Sequence, residues 1–206
     1  MFFEFLYWTV GRLIKWIFRL QPEGLENLPR HGVLLCPNHA SNWDPVLIGV
    51  CLPHNYHLRI MAKEALFHNK ALAWLIRKLG AFPVTRGTAD IQSVKTAMQV
   101  IKDGQNLLIF PEGTTIRDGV GYVDGLPPHA HSGIAVIGVR SGATLVPVFA
   151  DGPKKPFHKH RIIFGKPYTP VYTGRRGTSE EMQKIADDIL REAYALGGQK
   201  VGGEPL

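Results

Sequence analysis

The sequence predicts an α/β fold: a single domain with a mostly parallel central sheet flanked by helices, plus an N-terminal amphipathic helix. Three observations lead there. Short apolar runs alternate with stretches of helical periodicity from Gly32 onward. The chain has 206 residues, 45% of them apolar, enough for one continuous core. The first twenty residues, MFFEFLYWTVGRLIKWIFRL, stand apart from the alternation.

That opening segment is read as one helix over 1–20, with the remaining domain over 21–206. At about 100° per residue, Glu4, Gly11, Arg12, Lys15 and Arg19 share a sector of roughly 100°, and Phe2, Phe3, Leu6, Leu13, Ile14, Trp16, Ile17 and Phe18 cover the rest. Four charges interrupt it, so no run approaches the ~20 apolar residues that cross a bilayer. A helix with a narrow basic stripe suits a membrane interface, where rings enter the acyl boundary and Arg and Lys meet lipid phosphates. The same pattern also fits a helix packed on the domain's own core.

After Gln21-Pro22 the elements follow in order. Strands are expected at 32–36, 57–62, 81–84, 107–110, 145–149 and 161–164, where the apolar runs are short and bounded by turn residues. Helices are expected at 45–52, 70–79, 89–102 and 133–140, and from Ser179-Glu180 to just before Gly197-Gly198. Pro147, inside an apolar strand, lacks an N–H for a ladder and implies an edge or a bulge that could wall a pocket. Strand–helix alternation makes the connections crossovers, and ligands in such folds gather where strands end.

Composition narrows the function classes. A formal charge of +7 fits nucleic acid, an anionic membrane or a phosphorylated substrate. Nucleic-acid binding would interleave exposed aromatics with basic residues, and here the aromatics cluster in the N-terminal helix and the apolar runs, so no nucleic-acid partner is expected. Cys36 and Cys51 sit in apolar stretches without paired spacing, which fits a reducing compartment rather than a metal or redox motif. The apolar start has neither a basic opening nor a small-residue cleavage site, so no cleavable signal peptide is expected.

Three polar clusters end strands. Pro37-Asn-His-Ala-Ser-Asn-Trp-Asp-Pro45 sets His39 and Asp44 five positions apart. An imidazole titrating near neutrality can take a proton from a hydroxyl and return it to a leaving thiolate, and a carboxylate on its other nitrogen fixes the tautomer. On a regular helix five residues would turn the two side chains about 140° apart, so the pair needs a bend. Asp44 before Pro45 also reads as a helix N-cap. Gly80-Ala-Phe-Pro-Val-Thr-Arg86-Gly87 delivers a guanidinium that can pair with phosphate, or an ordinary surface arginine. Phe110-Pro-Glu-Gly-Thr-Thr115 ends a strand with a carboxylate, a glycine and two hydroxyls, groups able to approach a phosphate or an oxyanion. Lys154-Lys-Pro-Phe-His-Lys-His-Arg161 reads equally as a solvated basic loop or as a patch for anionic lipid, coenzyme A or an acidic carrier protein.

Asn-His-x-x-x-x-Asp, Gly-x-Phe-x-x-x-Arg, Phe-Pro-Glu-Gly-Thr and Val-Pro, in this order over about 110 residues, resemble the motifs of the glycerolipid acyltransferase family, whose best-known members acylate lysophosphatidic acid. The resemblance extends over nearly the whole chain. It implies catalytic roles for His39 as general base and Asp44 as its assistant. It implies that Arg86, Glu112, Gly113 and Thr114 help to hold the acceptor's phosphate. The implied reaction moves an acyl group from acyl-CoA or acyl-carrier protein, a co-substrate, to a lysophospholipid hydroxyl, with no acyl-enzyme, no resident cofactor and no metal. The implied partner is a phospholipid bilayer surface, met from the cytoplasmic face by a monotopic or peripheral protein. The chain departs from the family in two places. Many members carry arginine after Glu-Gly-Thr, where this chain has Thr115, so phosphate recognition falls to a hydroxyl or to Arg117. A lysine often found before the following helix is replaced by His129 or His131. A serine hydrolase is disfavoured because no Gly-x-Ser-x-Gly elbow occurs.

Overall fold

The computed structural model describes residues 7–84, 91–116 and 129–202. The strands are β1 (Leu20–Glu23), β2 (Val33–Pro37), β3 (Leu58–Lys63), β4 (Ala81–Val84), β5 (Asn106–Leu108), β6 (Thr144–Ala150) and β7 (His160–Phe164). The helices are α1 (Arg12–Ile17), α2 (Asp44–Cys51), α3 (Lys70–Lys78), α4 (Ile91–Lys102), α5 (Gly133–Ser141) and α6 (Ser179–Leu196). The strands form one sheet in the order β1-β7-β6-β2-β5-β3-β4. Its pairs are parallel except β6 with β7.

Side chains that alternate along β2 divide the core into two layers. Leu34 and Cys36 pack with Ala97 and Ile101 of α4, Ile134 and Ile137 of α5, and Ile185 and Ile189 of α6. Val33 and Leu35 meet Ile48 and Cys51 of α2. Right-handed crossovers account for this division, since β2–α2–β3 and β3–α3–β4 run one way along the sheet and β4–α4–β5 and β5–α5–β6 run back. The adjacent strands β2 and β5 therefore send their following connections to opposite faces. Their carboxyl ends flank a topological switch point, the crevice where such sheets bind ligands. The segments after β2 and β5 are those that carry His39 and Glu112.

Two expectations need correction. Within the described residues the N-terminal helix comprises a π turn over Tyr7–Gly11 followed by α1, and it stops at Ile17. Arg19 then takes a positive φ of 40°, and Leu20 already belongs to β1. β1 went unread because it is a short, mostly exposed edge strand, the place where Pro22 is tolerated. Pro147, by contrast, is buried inside an interior strand, so of the edge or bulge expected there the edge is excluded. Its nitrogen points toward β7, at a bulge. The ladder ends at Val148↔Phe164 and resumes at Leu145↔Tyr168, three steps along β6 against four along the segment that continues β7.

Candidate active site

The loop after β2 is held at both ends of its first turn. The Asn38 amide accepts the Ala150 N–H (2.7 Å) and donates to the Ala150 carbonyl (3.0 Å), clamping the loop to the end of β6. The next residue, His39, donates its main-chain N–H to Oε2 of Glu112 (2.7 Å), and its carbonyl accepts the Ile116 N–H (2.7 Å). Its ring stacks on Phe110, centroids 3.9 Å apart, so packing as well as hydrogen bonding fixes its plane. The imidazole side chain is 10% exposed, enough for one edge to meet a substrate.

Nδ1 of His39 lies 3.2 Å from Oδ2 of Asp44, which also accepts the Ser41 N–H at 2.7 Å. A carboxylate only accepts, so the proton in this contact sits on Nδ1, which in the neutral ring leaves the lone pair on Nε2. Asp44 is not the N-cap. It is the first residue of α2, Trp43 occupies the cap position without a side-chain bond, and the Asp44 carboxylate turns back toward the loop. The Asn42–Trp43 turn supplies the bend that brings the two side chains together.

Nε2 faces Oγ1 of Thr115 at 3.2 Å, and the same hydroxyl reaches Oδ1 of Asn42 at 3.1 Å. One hydroxyl proton serves one acceptor at a time. When Thr115 donates to Asn42, the Nε2 lone pair is open to another hydroxyl. The structure thus brings together His39, Asp44, Glu112 and Thr115.

Glu112 is 2% exposed, with Oε2 taken by the His39 N–H and Oε1 accepting the Tyr194 hydroxyl at 2.6 Å. Burial pushes its carboxyl up from 4.5 to about 7, outweighing the hydrogen bonds from Tyr194 and His39. Both oxygens are thus committed inside the protein. Gly113 adopts φ +65°, which favours glycine, and a Cβ there would lie 2.5 Å from the His131 ring and push that exposed side chain aside. Thr114 is exposed and His131 lies beside this turn. His129 is exposed near Asp187, 3.8 Å away. Arg86 and Arg117 lie outside the described residues.

Four neighbours escaped the sequence reading. Phe110 and Asn42 lie within the motif segments, where nothing in the spacing marks either as a partner of His39 or Thr115. Tyr194 sits on the apolar face of α6, a position with no chemical signal. Lys154, read as part of a basic run, has a side chain with no exposure and lies 3.4 Å from Oδ1 of Asp44.

A base held by a carboxylate at a switch point is an arrangement for moving a proton off a hydroxyl. A family model described as Acyltransferase matches residues 19–151, more than half of the chain. The chain belongs to this acyltransferase family. The acyltransferase is 34% identical over 149 residues to the 1-acyl-sn-glycerol-3-phosphate acyltransferase of Bacillus subtilis, covering 69% of this chain and 70% of that one. It is 32% identical over 110 residues to the lyso-ornithine lipid O-acyltransferase of Pseudomonas aeruginosa, 52% of this chain and 40% of that one. Its fold matches the crystal structure of the Thermotoga maritima 1-acyl-sn-glycerophosphate acyltransferase, with a TM-score of 0.64 at 24% identity, over 96% of this chain and 80% of that one. The chain is an enzyme of the O-acyltransferase class.

Proposed function

We propose that this acyltransferase moves a fatty acyl group from acyl-CoA or acyl-carrier protein to the free hydroxyl of 1-acyl-glycerol-3-phosphate, giving phosphatidic acid. The observation that carries the reading is the orientation of His39, with Nδ1 on Asp44 and Nε2 facing outward to the Thr115 hydroxyl. An acceptor hydroxyl that displaces Thr115 gives its proton to Nε2 as its oxygen attacks the thioester carbonyl. Collapse of the tetrahedral adduct breaks the carbon–sulfur bond. The departing thiolate then takes the proton back from His39, leaving an ester and a free thiol. Asp44 stabilises the imidazolium in between. Glu112 serves this reading through the main chain of His39, and Arg86, Arg117, Gly113 and Thr114 remain as the groups for the acceptor's phosphate.

The membrane side of the proposal rests on exposed apolar surface beside the site. Leu13 and Trp16 of α1 are exposed, as are Trp43 in the catalytic loop and Phe157. Trp16 meets Phe157 edge-on, and Phe18 at the end of the helix packs on Trp43. No helix among the described residues is long and apolar enough to cross a membrane. We read it as a monotopic or peripheral enzyme on the cytoplasmic face, with the N-terminal helix, which ends at Ile17, as the interface segment and the chain from β1 onward as the catalytic domain.

A second acceptor is favoured by one specific observation. Thr115 brings a hydroxyl but no charge to the base, and one relative is a lyso-ornithine lipid O-acyltransferase, which points to a lysolipid without a phosphate monoester. The purified protein in liposomes, given acyl-CoA and a panel of lysolipids, separates the two by acceptor-dependent thiol release. Lysophosphatidic acid is expected to give the fastest release. Faster release with lyso-ornithine lipid would move the assignment, and release that needs no acceptor would replace it with a thioesterase.

A further inference from the structure

Lys154 belongs to a run of basic residues whose neighbours Lys155 and Lys159 are exposed, yet its own side chain is wholly buried. Lysine is almost never fully buried without a partner, and one on a surface loop ordinarily extends its ammonium into water. Here the ammonium is surrounded. It lies 3.0 Å from Oδ1 of Asp151, 3.2 Å from the Gly152 carbonyl and 3.4 Å from Oδ1 of Asp44, and it also donates to the Asp151 carbonyl. Asp151 is itself fixed by Nδ1 of His160 (3.1 Å) and the Arg161 N–H (2.9 Å). The loop is further tied to α1 by the Phe157 N–H, which donates to the Ile17 carbonyl at 2.6 Å.

The other side of this contact is equally specific. Asp44 is 0% exposed, and its two oxygens are used unequally. Oδ2 takes Nδ1 of His39 and the Ser41 N–H, and Oδ1 has no hydrogen-bond partner among the described residues, with the Lys154 ammonium facing it at ion-pair distance. A carboxylate anchored through one oxygen can swing about its terminal torsion, which is broad and soft. A cation at the second oxygen holds the plane and balances a charge that burial disfavours.

We propose that Lys154 is a positioning residue of the acyl-transfer site: its ammonium holds Oδ1 of Asp44 so that Oδ2 stays aimed at Nδ1 of His39. It reaches no reacting atom. The inference rests on the reading of His39 as the base.

The test is a double-mutant cycle in liposomes with lysophosphatidic acid and acyl-CoA, using Lys154→Met, Lys154→Arg, Asp44→Asn and Asp44→Asn/Lys154→Met, with His39→Ala as control. Misplacing a catalytic pair by about 1 Å can cost 10²-fold, so Lys154→Met is expected to lower kcat by ~10- to 100-fold with KM for both substrates within about twofold. Lys154→Arg should recover part of that loss. In the Asp44→Asn background the Met substitution should change nothing further. An unchanged kcat in Lys154→Met, or an equal loss with and without Asp44, overturns the proposal. Should Lys154→Met fail to fold because Asp44 loses its counter-charge, the double variant removes that buried charge. It leaves only Asp151, which is partly exposed and still held by His160 and the Arg161 N–H, and a kcat below that of Asp44→Asn alone is still the contrary result. His39→Ala separates the two levels. If it retains wild-type activity, the base assignment falls and takes this inference with it; if it is inactive beside a fully active Lys154→Met, this inference falls alone.

Discussion

Two buried carboxylates flank His39, Asp44 on the α2 side and Glu112 on the α6 side, and they do different work. Asp44 meets the imidazole at Nδ1 and is faced by the Lys154 ammonium. Glu112 meets the main chain of the same residue and takes its second bond from a tyrosine hydroxyl. Burial raises the Glu112 carboxyl to about 7, as expected for a group held by dipoles in a site that disfavours its charge. What separates a carboxylate that shapes the chemistry from one that shapes the backbone is the partner, not the residue type or the burial.

The largest expected difference between the two sides is kinetic. Asp44→Asn keeps an oxygen for Ser41 but removes the charge that fixes the His39 tautomer, and kcat is expected to fall by about 10³- to 10⁴-fold. Steady-state thiol release at saturating lysolipid measures it; a loss under tenfold would place Asp44 on the structural side with Glu112.

The second difference is in pH dependence. With a folded-state carboxyl near 7 against 4.5 unfolded, Glu112 binds a proton in the folded protein that the unfolded chain has released. Its stabilising contribution is therefore present below about pH 4.5 and is lost as pH rises toward 7. Compared with Glu112→Gln, the wild type should lose relative stability by up to about 3 kcal/mol between pH 5 and pH 8. Urea unfolding at the two pH values checks this, and a difference independent of pH would contradict the assignment.

The smallest effect is expected from Tyr194→Phe, which removes one hydrogen bond to Glu112. About 1 kcal/mol of stability should go, with a modest loss of kcat through the displaced His39 backbone. Thermal unfolding and kinetics together check it. A kcat loss as large as that of Asp44→Asn would erase the contrast between the two sides.

Much of this arrangement was legible in the chain. The runs at 32–36 and 145–149 read as strands, found at Val33–Pro37 and Thr144–Ala150, because an interior strand of such a sheet is apolar on both faces. α6 was legible from its terminal glycines and opens with a capping box between Thr178 and Glu181. β1 was not, since LQPE at a sheet edge has neither alternation nor a buried face. In the site, His39 and Asp44 announced themselves by spacing and family pattern, and Thr115 by standing where arginine was expected. Glu112 was legible as a site residue but not as a brace of the backbone, because its two partners come from elements 73 and 82 residues away. Lys154 was hidden for a related reason: whether a lysine in a basic run faces water or a buried carboxylate is decided by the loop after β6, not by composition.

Both sides converge on the imidazole, so the most direct measurement is acceptor-dependent thiol release by His39→Ala in liposomes with lysophosphatidic acid and acyl-CoA. General-base catalysis typically contributes 10²–10⁴-fold, so the variant should fall below about a hundredth of the wild-type kcat while binding liposomes normally. A variant that keeps more than about a hundredth of that rate would contradict the assignment of His39 as the base.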